Sequence, residues 1–292
     1  MQKLIETIAN NNEIEVIGLV SSTKDVVIRK IEKPMRNVHY LDLNEFCLKN
    51  KISYAEVSTI DSNEKLSKVL LKWNPDIVFV AGWHRLIPSK FLETWKFYGF
   101  HASLLPKNAG WAPLVWAMLK GEEKTGVSLF QIDSGVDTGP IIDRVEFPIL
   151  NTTTIGDLVN TSIDASVNLM SRNILAICAG NPPLTPQDNL LRTEGRRRFP
   201  IDGLINWDTP KAQVERFIRA QSSPYFGSFT ILEEKRLKIF SAEIVTKFNS
   251  FLMESREQPG RLISLRGDIF VGCSDGWIRL VDYKFEENHP MS

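Results

Sequence analysis

Apolar positions along the chain change period several times, and each change marks an element. Leu4, Ile5, Ile8 and Ala9 recur at helical spacing, so residues 2–10 read as an amphipathic helix that ends in asparagine-rich turn chemistry. "IEVIGLVSS" (14–22) reads as a strand. Helices follow around 41–49 and 63–73, where Leu66, Val69, Leu70 and Trp73 share a face. "DIVFVAGW" (76–83) is a continuous apolar run, the pattern of a parallel-sheet strand covered on both faces. A short helix around 89–94 leads into the strand "KFYGFHA". Residues 112–121 form a helix stopped by Gly121, 125–133 and 141–149 are strands, and Thr153 or Thr154 caps a long helix that runs to Cys178.

Alternation of strands with helices predicts an α/β doubly wound, mostly parallel sheet over 1–182. The proline-, glycine- and charge-rich stretch 183–205 is a connector. A helix over 209–221 and short β segments over 225–286 separated by glycine turns then predict a small C-terminal β-barrel-like domain within 206–292.

Composition narrows the function. Lys+Arg and Asp+Glu each number 35, so no global basic field attracts a polyanion. Cys47, Cys178 and Cys273 lie far apart without metal-ligand spacing and read as buried thiols of a reducing cytoplasm. No window approaches the roughly 18 consecutive apolar residues of a membrane span.

Ligands of open α/β sheets bind at the carboxyl ends of strands. Three such ends carry chemistry here: "AGWHRLIP", "FHASLLPKNAG" and "IDSGVDTGP". If these strands are neighbours, His101 and Asp137 meet as an imidazole–carboxylate pair suited to proton transfer. Two other readings stay open at this point: His101 as a satisfied core histidine, and "DSGVDTG" as a turn held by Asx bonds. That loop lacks the calcium-loop ligand pattern, the chain has no GxGxxG after its first strand, and GxSxG is absent.

The run from "FHASLLPKNAGWAPLVWAML" through "TGVSLFQIDSGVDTGPII" resembles the core of the 10-formyltetrahydrofolate-dependent formyltransferases. That family shows H-x-S-L-L-P, G-x-x-P, E-T-G-V-T and D-x-G-x-D-T-G in this order. "RRRFPIDGLINWDTPKAQVERFIRAQSSPYFGSFT" is similar to the connector and second domain shared by methionyl-tRNA and nucleotide-sugar formyltransferases. The resemblance implies a Rossmann-like fold and attack of an amine on the N10-formyl carbon of the folate through a tetrahedral intermediate. It implies that His101 stabilises or protonates the oxyanion, and that Asp137 orients His101 or relays the amine proton. The pteridine is expected against Trp83, His84, Arg85 and the loop Asp133, Ser134, Gly135 and Val136. Ser103, Leu104, Leu105 and Pro106 form the adjacent wall, and no metal is implied.

Three departures accompany the match. The family's asparagine two residues before the histidine is Gly99 here, with Asn108 a candidate to compensate. Ala109 and Trp111 stand where many members carry an arginine, which leaves Trp111 open as a stacking surface or as packing. The chain also opens inside what reads as the family's first helix, so a first strand is expected to be missing and stability reduced. The resemblance and the neutral charge together favour a nucleotide-linked 3- or 4-amino-deoxysugar as acceptor, of the kind used in lipopolysaccharide O-antigen synthesis. Arg196, Arg197 and Arg198 either meet its diphosphate or form a solvated run. Alternatives are methionyl-tRNA and a degenerate, non-enzymatic folate- or partner-binding fold, and a homodimer is possible in each case.

Overall fold

A computed structural model describes residues 2–9, 13–26, 35–36, 40–58, 62–83, 85–246 and 258–286. The first part of the chain runs α1 (Gln2–Ala9), β1 (Gly18–Ser22), β2 (Asp25–Val26), β3 (Met35–Arg36), α2 (Asn44–Lys49), β4 (Ser53–Val57), α3 (Ser62–Trp73), β5 (Ile77–Ala81), α4 (Ser89–Leu92) and β6 (Lys96–His101). It continues through β7 (Ala109–Gly110), α5 (Pro113–Lys120), β8 (Lys124–Gln131), β9 (Ile141–Pro148) and α6 (Ile155–Cys178). After a connector holding β10 (Glu194–Gly195) come α7 (Lys211–Arg219), β11 (Ser228–Leu232), β12 (Lys235–Ile244), β13 (Leu262–Leu265), β14 (Asp268–Cys273) and β15 (Gly276–Phe285).

Local chemistry explains the boundaries. Pro113 opens α5, and Gly121, at φ +71°, closes it with its N–H on the Met118 carbonyl, as a left-handed C-terminal residue does. The cap of α6 is Thr154: its hydroxyl accepts from Asp157 N while the Asp157 carboxylate accepts from Thr154 N. The Thr154 N–H and then its hydroxyl, both donating to Oδ2, hold the Asp157 carboxyl below the usual carboxylate range.

Two compact units result, and they are not sequential halves. One comprises 1–109, 126–146 and 162–194; the other comprises 110–125, 147–161 and 195–292. In the first unit β1 pairs with β4 in parallel and β5 with β6 in parallel, whereas β6 and β8 run antiparallel within the order β5-β6-β8-β9. The apolar strand β5 is only partly buried at every position, against the expectation of cover on both faces. Its outer edge, like that of β1, has no strand partner among the described residues.

In the second unit, five antiparallel strands stand in the order β11-β12-β15-β14-β13. Val214 and Ile218 of α7 bury against Leu237, Ile239, Val271, Ile278 and Leu280. Two-residue turns with positive φ at Glu233–Glu234 and Arg266–Gly267 match the twist of the hairpins they close. No described helix is long and apolar enough to cross a membrane.

Candidate active site

His101 ends β6, where it pairs in register with Ser128 of β8. Its imidazole is 10% exposed, and its Nε2 lies 2.8 Å from the main-chain carbonyl of Asn108. A carbonyl only accepts, so this contact puts a proton on Nε2. The other ring nitrogen, Nδ1, stands 3.5 Å from Oδ2 of Asp137, whose side chain is 21% exposed. That contact is an ion pair when Nδ1 is also protonated. The pair expected from the strand ends is therefore formed.

The Asn108 contact to His101 comes from the backbone. Asn108 is buried, sits at φ +51° and donates its own N–H to the Thr193 hydroxyl. Left-handed backbone favours asparagine or glycine here, while the carbonyl that meets His101 belongs to any residue. Gly99, two residues upstream on the same face of β6, pairs with Phe130. A Cβ at Gly99 would lie 3.0 Å from Ile132 Cδ1 and 3.1 Å from Phe130 Cε1, so the strand is packed around a glycine.

The "HASLLP" stretch folds on itself. Ser128 Oγ donates to Ser103 O and accepts from Leu105 N, and Ser103 Oγ donates to Lys107 O. Ser103, Leu105 and Pro106 are buried, leaving Leu104 as the half-exposed member of the expected wall. The Asp137 loop is equally self-held: Asp133 Oδ1 accepts from Gly135 N and from Thr138 Oγ1. The Asx-turn reading thus holds for Asp133 while Asp137 faces the histidine. A Cβ on Gly139 would strike the Gln131 carbonyl, so the loop needs glycine there. Ser134 and Val136 stay exposed at its tip.

Two residues that the sequence reading missed hold this loop from outside. Gln187 Nε2 donates to the carbonyls of Asp137 (2.9 Å) and Gly139 (2.7 Å). Arg192 Nη2 donates to the Val136 carbonyl at 2.7 Å and also pairs with Glu194. Both lie in the connector, whose proline-rich composition carried no signal for them. Trp83 is half-buried against the cluster of Leu66, Leu70, Phe91 and Phe97; Arg85 is exposed, and His84 lies outside the described residues.

In the other unit, the arginine run divides. Arg196 forks onto Asp202, and Arg198 donates to Asp202 O and Gln221 Oε1. Hydrogen bonding from Arg196 leads the causes that hold the Asp202 carboxyl below its ordinary value. Arg197 instead stacks its guanidinium 4.5 Å from the Trp111 ring and 5.7 Å from Phe199, and both rings are more than a third exposed. Trp111 therefore packs against the Arg197 guanidinium, and two of the three arginines are structural.

The sequence profile of the formyl transferase family matches residues 1–174, and that of its C-terminal domain matches residues 199–292. A methionyl-tRNA formyltransferase of Chlorobium chlorochromatii (strain CaD3) is 27% identical over 285 residues, covering 95% of this chain and 89% of its own. Among solved structures, an N-formyltransferase from Helicobacter canadensis in complex with folinic acid and dTDP-3-aminofucose superposes with TM-score 0.60 at 22% identity, covering 83% of this chain and 82% of that one. HypX from Aquifex aeolicus, in complex with tetrahydrofolic acid, gives TM-score 0.64 at 18% identity over 81% of this chain. This chain spans only 40% of that longer protein. The chain belongs to the formyl transferase family, as a folate-dependent N-formyltransferase.

Proposed function

We propose that this enzyme moves the formyl group of N10-formyltetrahydrofolate to the amine of a nucleotide-linked amino-deoxysugar in the cytoplasm, with His101 and Asp137 carrying the proton chemistry. The observation that favours this acceptor over tRNA is the charge of the C-terminal sheet. Arg279 is held by Glu243 (2.7 Å) and Asp268 (3.1 Å), and Arg236 and Lys238 share Glu286. Binding a nucleic-acid backbone draws on cations free to replace counterions, and these are already neutralised. Arg197 on Trp111, by contrast, offers a planar cation and an exposed ring, the chemistry that takes a diphosphate and a base.

The protein's own groups supply the proton path. As the acceptor nitrogen bonds to the formyl carbon and the bond to N10 breaks, the amine loses a proton to Asp137, and N10 gains one through His101. The tight Nε2 bond to Asn108 O fixes the ring, and the longer Nδ1 contact is the one His101 exchanges for the developing oxyanion. Such a positioned acid–base pair contributes about 10²–10⁴ in rate. Trp83, Arg85, Leu104 and the Asp133–Val136 loop are the residues assigned to the folate.

The test incubates the protein with N10-formyltetrahydrofolate and, separately, a panel of nucleotide amino sugars and methionyl-tRNA, read by mass gain of one formyl group. A formylated sugar nucleotide, with a KM for it that rises in Arg197→Ala while kcat holds, is the expected result. Formylation of methionyl-tRNA alone refutes the acceptor assignment. That second reading has its own support, because the sequence relative named above carries that activity in its name.

A further inference from the structure

Two neighbouring residues of the connector reach opposite sides of the catalytic pair. Arg192 meets the Asp137 loop: its Nε and Nη2 fork onto Glu194 Oε1 (2.9 and 2.8 Å), and Nη2 also donates to the Val136 carbonyl (2.7 Å). That carbonyl belongs to the peptide unit that carries the Asp137 nitrogen. Thr193 meets the stretch beside His101 through hydroxyl, carbonyl and amide alike. Its hydroxyl accepts from Asn108 N (2.8 Å), its carbonyl accepts from Ala109 N (2.9 Å), and its own N–H donates to Pro106 O (3.3 Å).

The carbonyl bond bears on the histidine directly. The Asn108–Ala109 peptide is planar and trans, so its N–H and C=O point opposite ways. Its N–H is held by the Thr193 carbonyl, and its C=O takes His101 Nε2 at 2.8 Å. One rigid unit therefore spans from Thr193 to the imidazole. The hydroxyl bond stops that unit from turning. Asn108 sits at φ +51°, a left-handed setting that costs free energy and persists where the surroundings hold it. The Thr193 hydroxyl supplies that hold, as the acceptor for a main-chain N–H in a residue only 1% exposed. Without it the 107–108 peptide turns to find another acceptor, and the next carbonyl leaves Nε2.

His101 and Asp137 come from different elements, the end of β6 and the loop between β8 and β9. Consecutive Cα atoms are about 3.8 Å apart, so loops fixed to Arg192 and to Thr193 cannot drift independently. We propose that Thr193 is a positioning residue of this enzyme: it aims the Asn108 carbonyl at Nε2, which fixes the His101 ring and its tautomer, while Arg192 holds the Asp137 loop in step. The inference rests on the roles given to His101 and Asp137 above, and it holds for either acceptor.

If Thr193 merely pins the connector, its main-chain bonds to Pro106 and Ala109 do so with any side chain. Thr193→Val keeps those bonds and the branched shape but removes the acceptor; Thr193→Ser keeps the acceptor. Thr193 is itself exposed, so either change disturbs little else. NMR of the full-length protein with isotopically labelled histidine reads the ring nitrogens at a pH where the ring is neutral. The His101 signals are those lost in His101→Gln. The native ring is expected to carry its proton on Nε2. Thr193→Val is expected to move that nitrogen toward the unprotonated value and to lower kcat roughly tenfold with the acceptor formylated in the assay above. The Kd for folinic acid stays unchanged, and Thr193→Ser restores both ring signals and kcat. Thr193→Ala gives the same shift should valine prevent folding. A native ring protonated on Nδ1, native signals and kcat without the hydroxyl, or a loss that Thr193→Ser shares each overturns the proposal. Failure of the underlying reading looks different: His101→Gln keeps its kcat while Thr193→Val still moves the ring signals, which leaves Thr193 positioning a ring outside the proton path.

Discussion

Adding a methyl group at Gly99 is the sharpest probe of how this site is built. The new Cβ would sit 3.0 Å from Ile132 Cδ1, 3.1 Å from Phe130 Cε1 and 3.2 Å from Ile132 Cγ1. Overpacking of this kind costs about 1–3 kcal/mol. Replacing glycine at an ordinary φ returns about 0.4–1 kcal/mol through the unfolded chain. Ile132 is only half-buried and its Cδ1 is a flexible end, so the lower part of the cost range applies. Gly99→Ala is thus expected to lose about 1 kcal/mol, a fall of roughly 3 °C in Tm. Ile132→Val deletes the nearest contact and on its own costs about 0.5–1.5 kcal/mol. If the clash is real, the two changes are not additive: with the nearest of the three contacts removed, the double variant recovers about 0.5–1 kcal/mol relative to the sum of the singles. Urea melts followed by tryptophan fluorescence, with m unchanged across the set, measure this cycle. Additivity within about 0.5 kcal/mol refutes the packing account. The same background serves the chemistry. Gly99→Asn with Ile132→Val projects an amide from the His101 face of β6, and kcat is expected to stay unchanged, because Asn108 O and Asp137 already engage the imidazole. A tenfold rise or more, about 1.4 kcal/mol in barrier, shows that the Asn108 carbonyl does not stand in for that side chain.

Two further expectations concern the same loop. Asp137 sits at φ +52°, which asparagine tolerates and alanine does not, so Asp137→Asn separates charge from strain. Both it and His101→Gln lower kcat by about 10²–10³ with Tm held within a degree or so; an unchanged kcat for either removes that residue from the proton path. Gln187→Leu frees the Asp137 and Gly139 carbonyls and loosens the loop, raising the folate KM and lowering kcat about tenfold, while Gln187→Glu, which keeps only acceptors, behaves alike. Equal activity of Gln187→Leu and the native enzyme in steady-state kinetics shows that the loop holds its shape without the clamp.

The parts of the site that could be read from sequence are those where one residue type satisfies one local demand. Gly121 closing α5, Thr154 capping α6, the glycines of "DSGVDTG" and the placement of His101 at a strand end all follow from backbone chemistry within a few residues. Contacts that cross long stretches of chain left no such mark. Gln187 and Arg192 reach the Asp137 loop from about 50 positions away, through side chains that look like ordinary connector residues. Strand β4 was missed because "SYAEV" carries a glutamate, whose carboxylate is taken up by Tyr40 and Tyr54; burial first, and that carboxylate next, push the Tyr54 hydroxyl well above its usual range. Burial, too, depends on neighbours that a single run cannot name.

β5 shows why that last point matters for function. Its sequence asks for cover on both faces, and among the described residues β6 is its one strand partner. β5 runs directly into Gly82 and Trp83, and Val80 and Trp83 pack on the same apolar cluster, so the packing of β5 and the position of the Trp83 ring are linked. Val80→Ala, which thins that cluster, is expected to raise the folate Kd as well as lower Tm. A lowered Tm with an unchanged Kd separates the two and confines the packing of β5 to stability.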